Sequence, residues 1–337
     1  NVPASGFLKL TAVATTDSVY DSNGTNLSDI TIGWNDATNP NWYQQFINIM
    51  NSAMSSNFGN PADRSTIDSI LTEKYRINSS TQDVPVFSFS KNINGTSMSF
   101  EVVPITFSDD KTFIKEAPPE PAALFSLVYK NDNQGSGSPN TGFFSHFKQG
   151  TINLSTFGIT NPVINEIIGI NAPNINDTDT WMWQLDQEGN YSTLWTQVTS
   201  LLGNNVIYNS INKSIRTLYA IGSRDQDQID LNFADGVFGD LPKGNFSFFY
   251  RQSNGLQYVI KPEQMSGVSV TIPYKNSSGQ NHSLTMTLSL QYAVTNSAGA
   301  ESNLSIQTKA PQLYYTQNRM ITGEDYNIAP LKAGSDI

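Results

Sequence analysis

The sequence holds no cysteine in 337 residues. That excludes a disulfide framework and any thiolate metal site, and it leaves the compartment open. Charged side chains are scarce at 14%, and the formal net charge is −10. No Lys/Arg run interrupts this acidic balance, which suits neither a nucleic-acid groove nor an anionic membrane surface. No apolar run approaches the roughly 20 residues of a membrane-spanning helix, and the start carries no signal-peptide pattern. Histidine is nearly absent: His146 and His282 are the two present, both in polar, turn-like settings and not at metal-ligand spacing. A P-loop and a Gly-x-Ser-x-Gly elbow are missing as well.

What is plentiful is Asn, Ser, Thr and Gln between short apolar stretches. The length suffices for a large core and for two domains. Phe7 to Ala14 (FLKLTAVA) reads as a first strand, and Thr31, Ile32 and Trp34 as a short one. Asn39-Pro40 is a helix start, with Asn as N-cap and Pro at the first helical position. Trp42, Phe46, Ile49, Met50, Ala53 and Met54 then repeat on one helical face, which is normally core-facing. A weaker helical stretch covers Thr66 to Tyr75. From Val84 onward the pattern is β. Strands are expected over 84–90, 98–107, 122–130, 152–154, 163–170, 181–185, 194–198, 204–208 and 214–221. The aromatics Phe143, Phe144 and Phe147 suggest another. Turns recur about every 8–12 residues, the spacing of sandwich-like or barrel-like β architecture.

The best-patterned stretch runs from Arg224 to Arg251. Ile229, Leu231 and Phe233 alternate with polar residues as a half-buried strand. Asp235-Gly236 supplies tight-turn chemistry, where positive φ favours glycine. Val237 and Phe238 follow, then a Leu241-Pro242-Lys243-Gly244 turn, then Phe246, Phe248 and Tyr250 in alternation. The local pattern predicts a three-stranded meander. Strands over Val268–Pro273 and Leu284–Val294 complete a compact β domain. At Ser297 the pattern changes: a helix is expected from Gly299 to Lys309, stopped at Ala310-Pro311. Thr322 stands three residues before Asp325 as a capping box. The fold expected is therefore mainly β with a few helices: short antiparallel strands, sandwich-like or barrel-like, and a C-terminal helical segment. The divisions are 1–203, a β-rich region with one amphipathic helix near 40–55; 204–296, the β meander domain; and 297–337, the helical start of a following domain.

Two stretches carry a family resemblance. FADGVFGDLPKGNFSFFYR resembles the F-G-D-G-x-F-G…P-x-G…Y-R signature of the phage baseplate J-like family, to which the T-even-type baseplate wedge subunits (gene product six class) belong. Its positions are Phe233, Asp235, Gly236, Phe238, Gly239, Pro242, Gly244, Tyr250 and Arg251, with Ala234 where the family usually has glycine. GAESNLSIQTKAPQLYYTQNRMITGEDY, from Gly299 to Tyr326, resembles the pattern that follows it, with Glu301, Arg319, Thr322, Asp325 and Tyr326 on matching positions. NTGFFSHFKQG, from Asn140 to Gly150, looks like a segment of marine T-even-like wedge proteins. The resemblance implies a structural subunit of a contractile tail baseplate, without enzymatic activity, cofactor or metal. Its partners would be copies of itself in a ring and other wedge and hub proteins, with neither nucleic acid nor membrane involved. Its place would be the virion tail, assembled in the host cytoplasm. The start at Asn1-Val2-Pro3 and the end at Ile337 suggest a fragment of a longer wedge protein, from a relative of marine myoviruses.

Other chemistries weigh less. Asp225, Asp227 and Asp230 are clustered oxygens that could suit calcium, but the EF-hand glycine and terminal Glu are missing, and a solvated strand entry is the plainer reading. Glu324-Asp325 sits better in a capped helix than in a glycosidase pair. Trp181, Trp183 and Trp195 suggest either a half-buried sheet face or a sugar-stacking platform. The latter, with the Asn-rich loops, gives the alternative expectation: a secreted or surface carbohydrate-binding β protein.

Overall fold

The structure, a computed structural model, describes residues 1–15, 32–33, 75–76, 87–107, 114–119, 124–125, 128–130, 134, 138–199, 201, 215–275, 281–299, 304 and 307–308. Within them the chain is mostly β. The strands, in chain order, are β1 (Ser5–Thr15), β2 (Ile32–Gly33), β3 (Tyr75–Arg76), β4 (Phe87–Ile93), β5 (Thr96–Val102), β6 (Ile105–Phe107), β7 (Ile114–Glu116), β8 (Leu124–Phe125), β9 (Val128–Lys130) and β10 (Gly142–Gln149). They continue as β11 (Thr151–Ile159), β12 (Ile167–Ile170), β13 (Ile175–Leu185), β14 (Tyr191–Val198), β15 (Leu218–Ser223), β16 (Ile229–Phe233), β17 (Gly244–Gln252), β18 (Val268–Lys275) and β19 (Asn281–Leu290). Short 3-10 turns cover Asp225–Asp227 and Pro262–Met265. The helix expected at 39–54 and residues 66–74 of the one expected at 66–75 lie outside the described residues, whereas Tyr75 opens β3, paired with Phe125, and is not helical. Of the helix expected from Gly299, Leu304, Gln307 and Thr308 are described as helical.

The chain divides into two compact units whose segments interleave. One comprises Asn1–Ala4, Gly150–Val259 and Thr295–Ile337. Its sheet runs β11-β17-β13-β14-β15-β16-β12. The sequence logic is visible in β16, where Ile229, Leu231 and Phe233 are buried and Asp230 and Asn232 are half-buried, the alternation that one inward face demands. Phe246, Phe248 and Tyr250 of β17 point the same way. They join Met182, Trp195, Tyr219 and the three β16 residues in a single core. Each fully buried side chain of this kind contributes about 1.5–3 kcal/mol. Ile159 and Ile170, from the two outermost strands, belong to that same core. The sheet therefore curls on itself and is barrel-like. Its pairs are antiparallel except β14 with β15, which run parallel through Thr196–Leu218 and Val198–Ala220.

Two expectations change here. The 229–250 stretch is not a meander. β16 pairs with β15 and β12, whereas β17 pairs with β11 and β13. The strands share a core, but β13, β14 and β15 separate them in the sheet. Val237 and Phe238 form no strand between them and lie in an exposed bend. The physical reason is that alternation specifies which face a strand buries and not which strand lies beside it.

The second unit comprises Ser5–Gln149 and Ile260–Val294. Its principal sheet follows β18-β19-β1-β10-β5-β4, with β2 added to β1 and β9 to β10. Leu8, Leu10, Phe100, Val102, Phe147, Met286, Leu288 and Leu290 are among its buried side chains. Phe100 stacks on Phe89 and meets Phe147 edge-on. Lys9 is buried too, with its Nζ donating to the Ser138 carbonyl at 2.6 Å. Gly142 makes the room: a Cβ there would lie 3.0 Å from Lys9 Cε. Lys91 Nζ in β4 donates to Ser266 O at 2.8 Å, and Gln264 Nε2 donates to Asn94 Oδ1 at 3.1 Å. These bonds tie one edge of the sheet to the turn that leads into the other, so this sheet is barrel-like as well.

The expected 203/204 boundary falls between β14 and β15, which pair within the first unit. The expected 204–296 segment sends β15, β16 and β17 to that unit and β18 and β19 to the other.

Candidate interaction site

The segment after β16 is a clamped loop. Asp235 leaves the strand and its Oδ1 accepts the backbone N–H groups of Val237 at 2.8 Å and Phe238 at 3.1 Å. This is side-chain mimicry of a turn, the ordinary use of Asp at such a position. The same bonds, Phe238's first, with Val237's and the nearby Arg216 charge, hold the Asp235 carboxyl below the usual carboxylate range. Gly236 takes φ +83°, which a β-carbon disfavours. Gly239 is packed even more tightly, since a Cβ there would meet Ala234 Cβ at 2.7 Å and Arg216 O at 3.1 Å.

Arg216, just before β15, closes the loop from outside. Its Nε donates to Asp240 Oδ1 at 2.8 Å, and its terminal nitrogens donate to the carbonyls of Val237 and Gly236, each at 3.2 Å. The Asp240 N–H returns a bond to Arg216 O at 2.8 Å. The planar guanidinium suits such a three-way grip, which a lysine cannot reproduce. Held by these bonds, the bend turns Val237 and Phe238 to solvent at 67% and 41% exposure.

The connection from β11 to β12 docks against this loop. Asn165 N donates to Ala234 O at 3.2 Å, and Phe233 N donates to Glu166 O at 3.0 Å. Glu166 Oε2 in turn accepts Val163 N at 3.1 Å. This connection adds exposed Val163, Ile164 and Ile167, and Ile215 is exposed beside Arg216. All belong to one end of the seven-stranded sheet, where Ile159 pairs with Gly244, Ile167 with Asn232 and Tyr219 with Phe233. Six exposed aliphatic and aromatic side chains are thus collected around this loop.

The remaining residues singled out by the resemblance divide by position. Phe233 is a core residue, Pro242 is buried, and Gly244 opens β17 at φ +109°. Tyr250 lies in the core, its ring stacked on Phe248 at 5.8 Å. Arg251 is completely buried with its Nε 3.4 Å from Asp179 Oδ2. An irregularity in β13 between Asn176 and Thr180 supplies the extra residues that include Asp179. Tyr250 and Arg251 sit seven strand positions or so from the loop, roughly 20 Å along β17. They support the barrel, not the exposed end. Glu301, Arg319, Thr322, Asp325 and Tyr326 lie outside the described residues.

Sequence reasoning missed Arg216. A lone arginine in a polar segment carries no periodic signal, and only its reach to residues 20–24 positions later gives it meaning.

The other candidates are plainly placed. Trp181 and Trp195 are buried, and Trp195 Nε1 donates to Gln184 Oε1 at 3.1 Å. Trp183 is half-buried and stacks face to face on Tyr191, with centroids 5.6 Å apart. Asp225 and Asp227 belong to the 3-10 turn, while Asp230 lies 3.4 Å from Arg224. Among the described residues, no three His, Asp or Glu side chains converge as a metal site. His146 is half-buried against the Phe7 ring. Phe7, Phe144 and Tyr292 line a cleft of about 240 Å³ in the second unit, below the usual range for small-molecule sites.

Comparison with known proteins gives a family without an assigned activity. The model of the family described as a domain of unknown function, DUF8360, matches residues 6–293, and the chain belongs to that family. No curated protein and no solved structure matches the chain.

Proposed function

We propose that the protein is a structural, non-enzymatic subunit of a contractile phage tail baseplate, of the wedge or inner-ring kind. It assembles with copies of itself and with other baseplate proteins and rearranges with them when the sheath contracts. The observation that carries the reading is the F-A-D-G-V-F-G-D stretch. It has the resemblance to the baseplate J-like signature, and its polar and glycine positions are spent on holding a rigid bend with Val237 and Phe238 outward. A pre-ordered loop loses little entropy on docking, which favours its use as a contact. A ring built from many modest contacts can switch between arrangements without any single strong site.

The test is to sequence the source DNA outward from both ends of this chain. A reading frame flanked by further structural domains, among tail genes, is the expected result. A stop codon directly after Ile337 with a signal peptide directly before Asn1 would overturn it.

One observation favours a second reading, a carbohydrate-binding β protein. Trp183 and Tyr191 form a half-buried stacked pair. A sugar could use the outer face of one ring, although buried Trp181 would not contribute. A glycan array decides: absence of binding to every sugar removes this reading.

A further inference from the structure

We infer that the apolar end around the clamped loop is the docking site for an extended segment of a different protein, one that carries an apolar anchor flanked by Lys or Arg. The inference rests on the assembly reading above and names a surface and a partner chemistry for it.

The exposed side chains come first. Val163, Ile164, Ile167, Val237 and Phe238 all stand at one end of a single sheet. Apolar residues scattered singly are normal on a surface, but a group of them on hydrogen-bonded neighbouring segments marks a contact. The segments that carry them are fixed to one another by Asn165 N to Ala234 O and by the Arg216 bonds. The group is therefore presented as a unit.

The charge around it selects the partner. Among the described residues, Glu166, Asp235 and Asp240 stand at this end, against Arg216, which is paired with Asp240, and the exposed Lys243 of the same connection. The Asp235 carboxyl is held ionised by its backbone bonds. An acidic rim around an apolar centre is complementary to a basic-flanked apolar segment. The same rim disfavours a second copy of this chain: a two-fold contact places the same acidic patch on both sides, and the whole chain carries −10.

The backbone supplies the geometry. β12 is the last strand of its sheet, paired with β16 through Ile167–Asn232 to Ile170–Ile229. Its sequence, IIGI, contains none of the lysines or prolines with which edge strands are usually guarded. An extended segment laid along the open edge of β12 runs past Ile167 toward Ile164, the strand-addition mode of recognition.

The experiment uses the whole chain as bait for a display library of random short peptides. Selected peptides are titrated against the wild type and against Phe238→Ser and Ile164→Ser, whose side chains leave the core undisturbed. Circular dichroism and thermal melts confirm that each variant is folded. The expected result is a set of peptides alternating apolar residues with Lys or Arg, bound at least about tenfold more weakly by either variant and weakened by salt. Peptides without basic residues, or peptides that bind the variants equally well, overturn the inference, as does a failure to select any peptide. Sedimentation of the chain alone adds one more decisive outcome: self-association abolished by Phe238→Ser would assign this end to a second copy instead. A negative selection together with the chain's presence in tail particles would discard this docking site while leaving the assembly reading in place.

Discussion

Arg216 and Asp240 meet twice: the guanidinium Nε donates to the carboxylate at 2.8 Å, and the Asp240 amide donates to the Arg216 carbonyl at 2.8 Å. This reciprocal pair fastens the residue before β15 to the end of the loop that follows β16. The remaining guanidinium bonds reach the carbonyls of Gly236 and Val237. The side chains are about half exposed, so the ion pair itself is worth little, about 0.2–1 kcal/mol. Its importance lies in the shape it imposes on the loop.

Arg216→Ala is expected to cost about 1 kcal/mol in urea unfolding, the usual net scale of such hydrogen bonds. The larger effect is local: amide exchange at Val237 and Phe238 accelerates. Arg216→Lys should fare almost as badly, because an ammonium cannot satisfy three acceptors in one plane. Unchanged exchange in both variants would mean that Asp235 alone orders the loop.

Gly239→Ala should destabilise the protein by about 1–3 kcal/mol, the usual range for overpacking. The new Cβ meets Ala234 Cβ at 2.7 Å. Adding Ala234→Gly removes that clash, so the double variant should recover part of the loss. The remainder reflects the Arg216 carbonyl at 3.1 Å. A double-mutant cycle with no coupling between the two positions would show that they do not touch.

Asp235 gives the loop an acid limit. Its folded pKa is depressed by the Phe238 and Val237 amide bonds. Its stabilising contribution is therefore present above the unfolded carboxylate pKa, about 3.9, and is lost as pH falls through the lower folded value. Asp235→Asn should melt lower than wild type at neutral pH, with the gap closing in acid. A gap that is constant with pH would contradict this.

Tyr219 sets an alkaline limit in the core. Burial pushes its hydroxyl up to about 12, opposed in part by its hydrogen bond with Thr180. The raised folded pKa means that its contribution is complete below about pH 10 and is lost as pH rises through 12. Two units correspond to about 3 kcal/mol of pH-linked stability. Tyr219→Phe should cost about 1 kcal/mol at neutral pH and flatten the stability profile between pH 10 and 12, measured by urea titration.

How much of this was legible beforehand depends on what kind of information a residue carries. β16 follows its apolar alternation residue for residue, and the Phe246-Phe248-Tyr250 face is buried as its spacing implies. Burial is a local property, and a period of two reports it. Partnership is not local. Asp235-Gly236 has the same chemistry whether it joins two paired strands or turns the chain away, and here β17 leaves to pair with β11 and β13. β12, which pairs with β16, stands some 60 residues earlier in the chain, beyond the reach of any turn signal. Val237 and Phe238, read as a short strand, are held out of the sheet by the Asp235 and Arg216 bonds. The signature loop was thus visible as a motif, while its clamp and its exposed apolar neighbours emerged only from the pairing of distant segments.

We propose that this chain is a structural part of a tail baseplate, and direct localisation tests this best. Contractile-tailed particles produced from the encoding DNA would be purified, their isolated baseplates dissociated, and the proteins identified by mass spectrometry. Immunogold labelling with antibodies against this chain would be done in parallel. The expected result is peptides of this chain in the baseplate fraction and gold at the distal end of the tail. Its absence from intact particles, with the chain recovered instead as a free protein outside them, would contradict the claim.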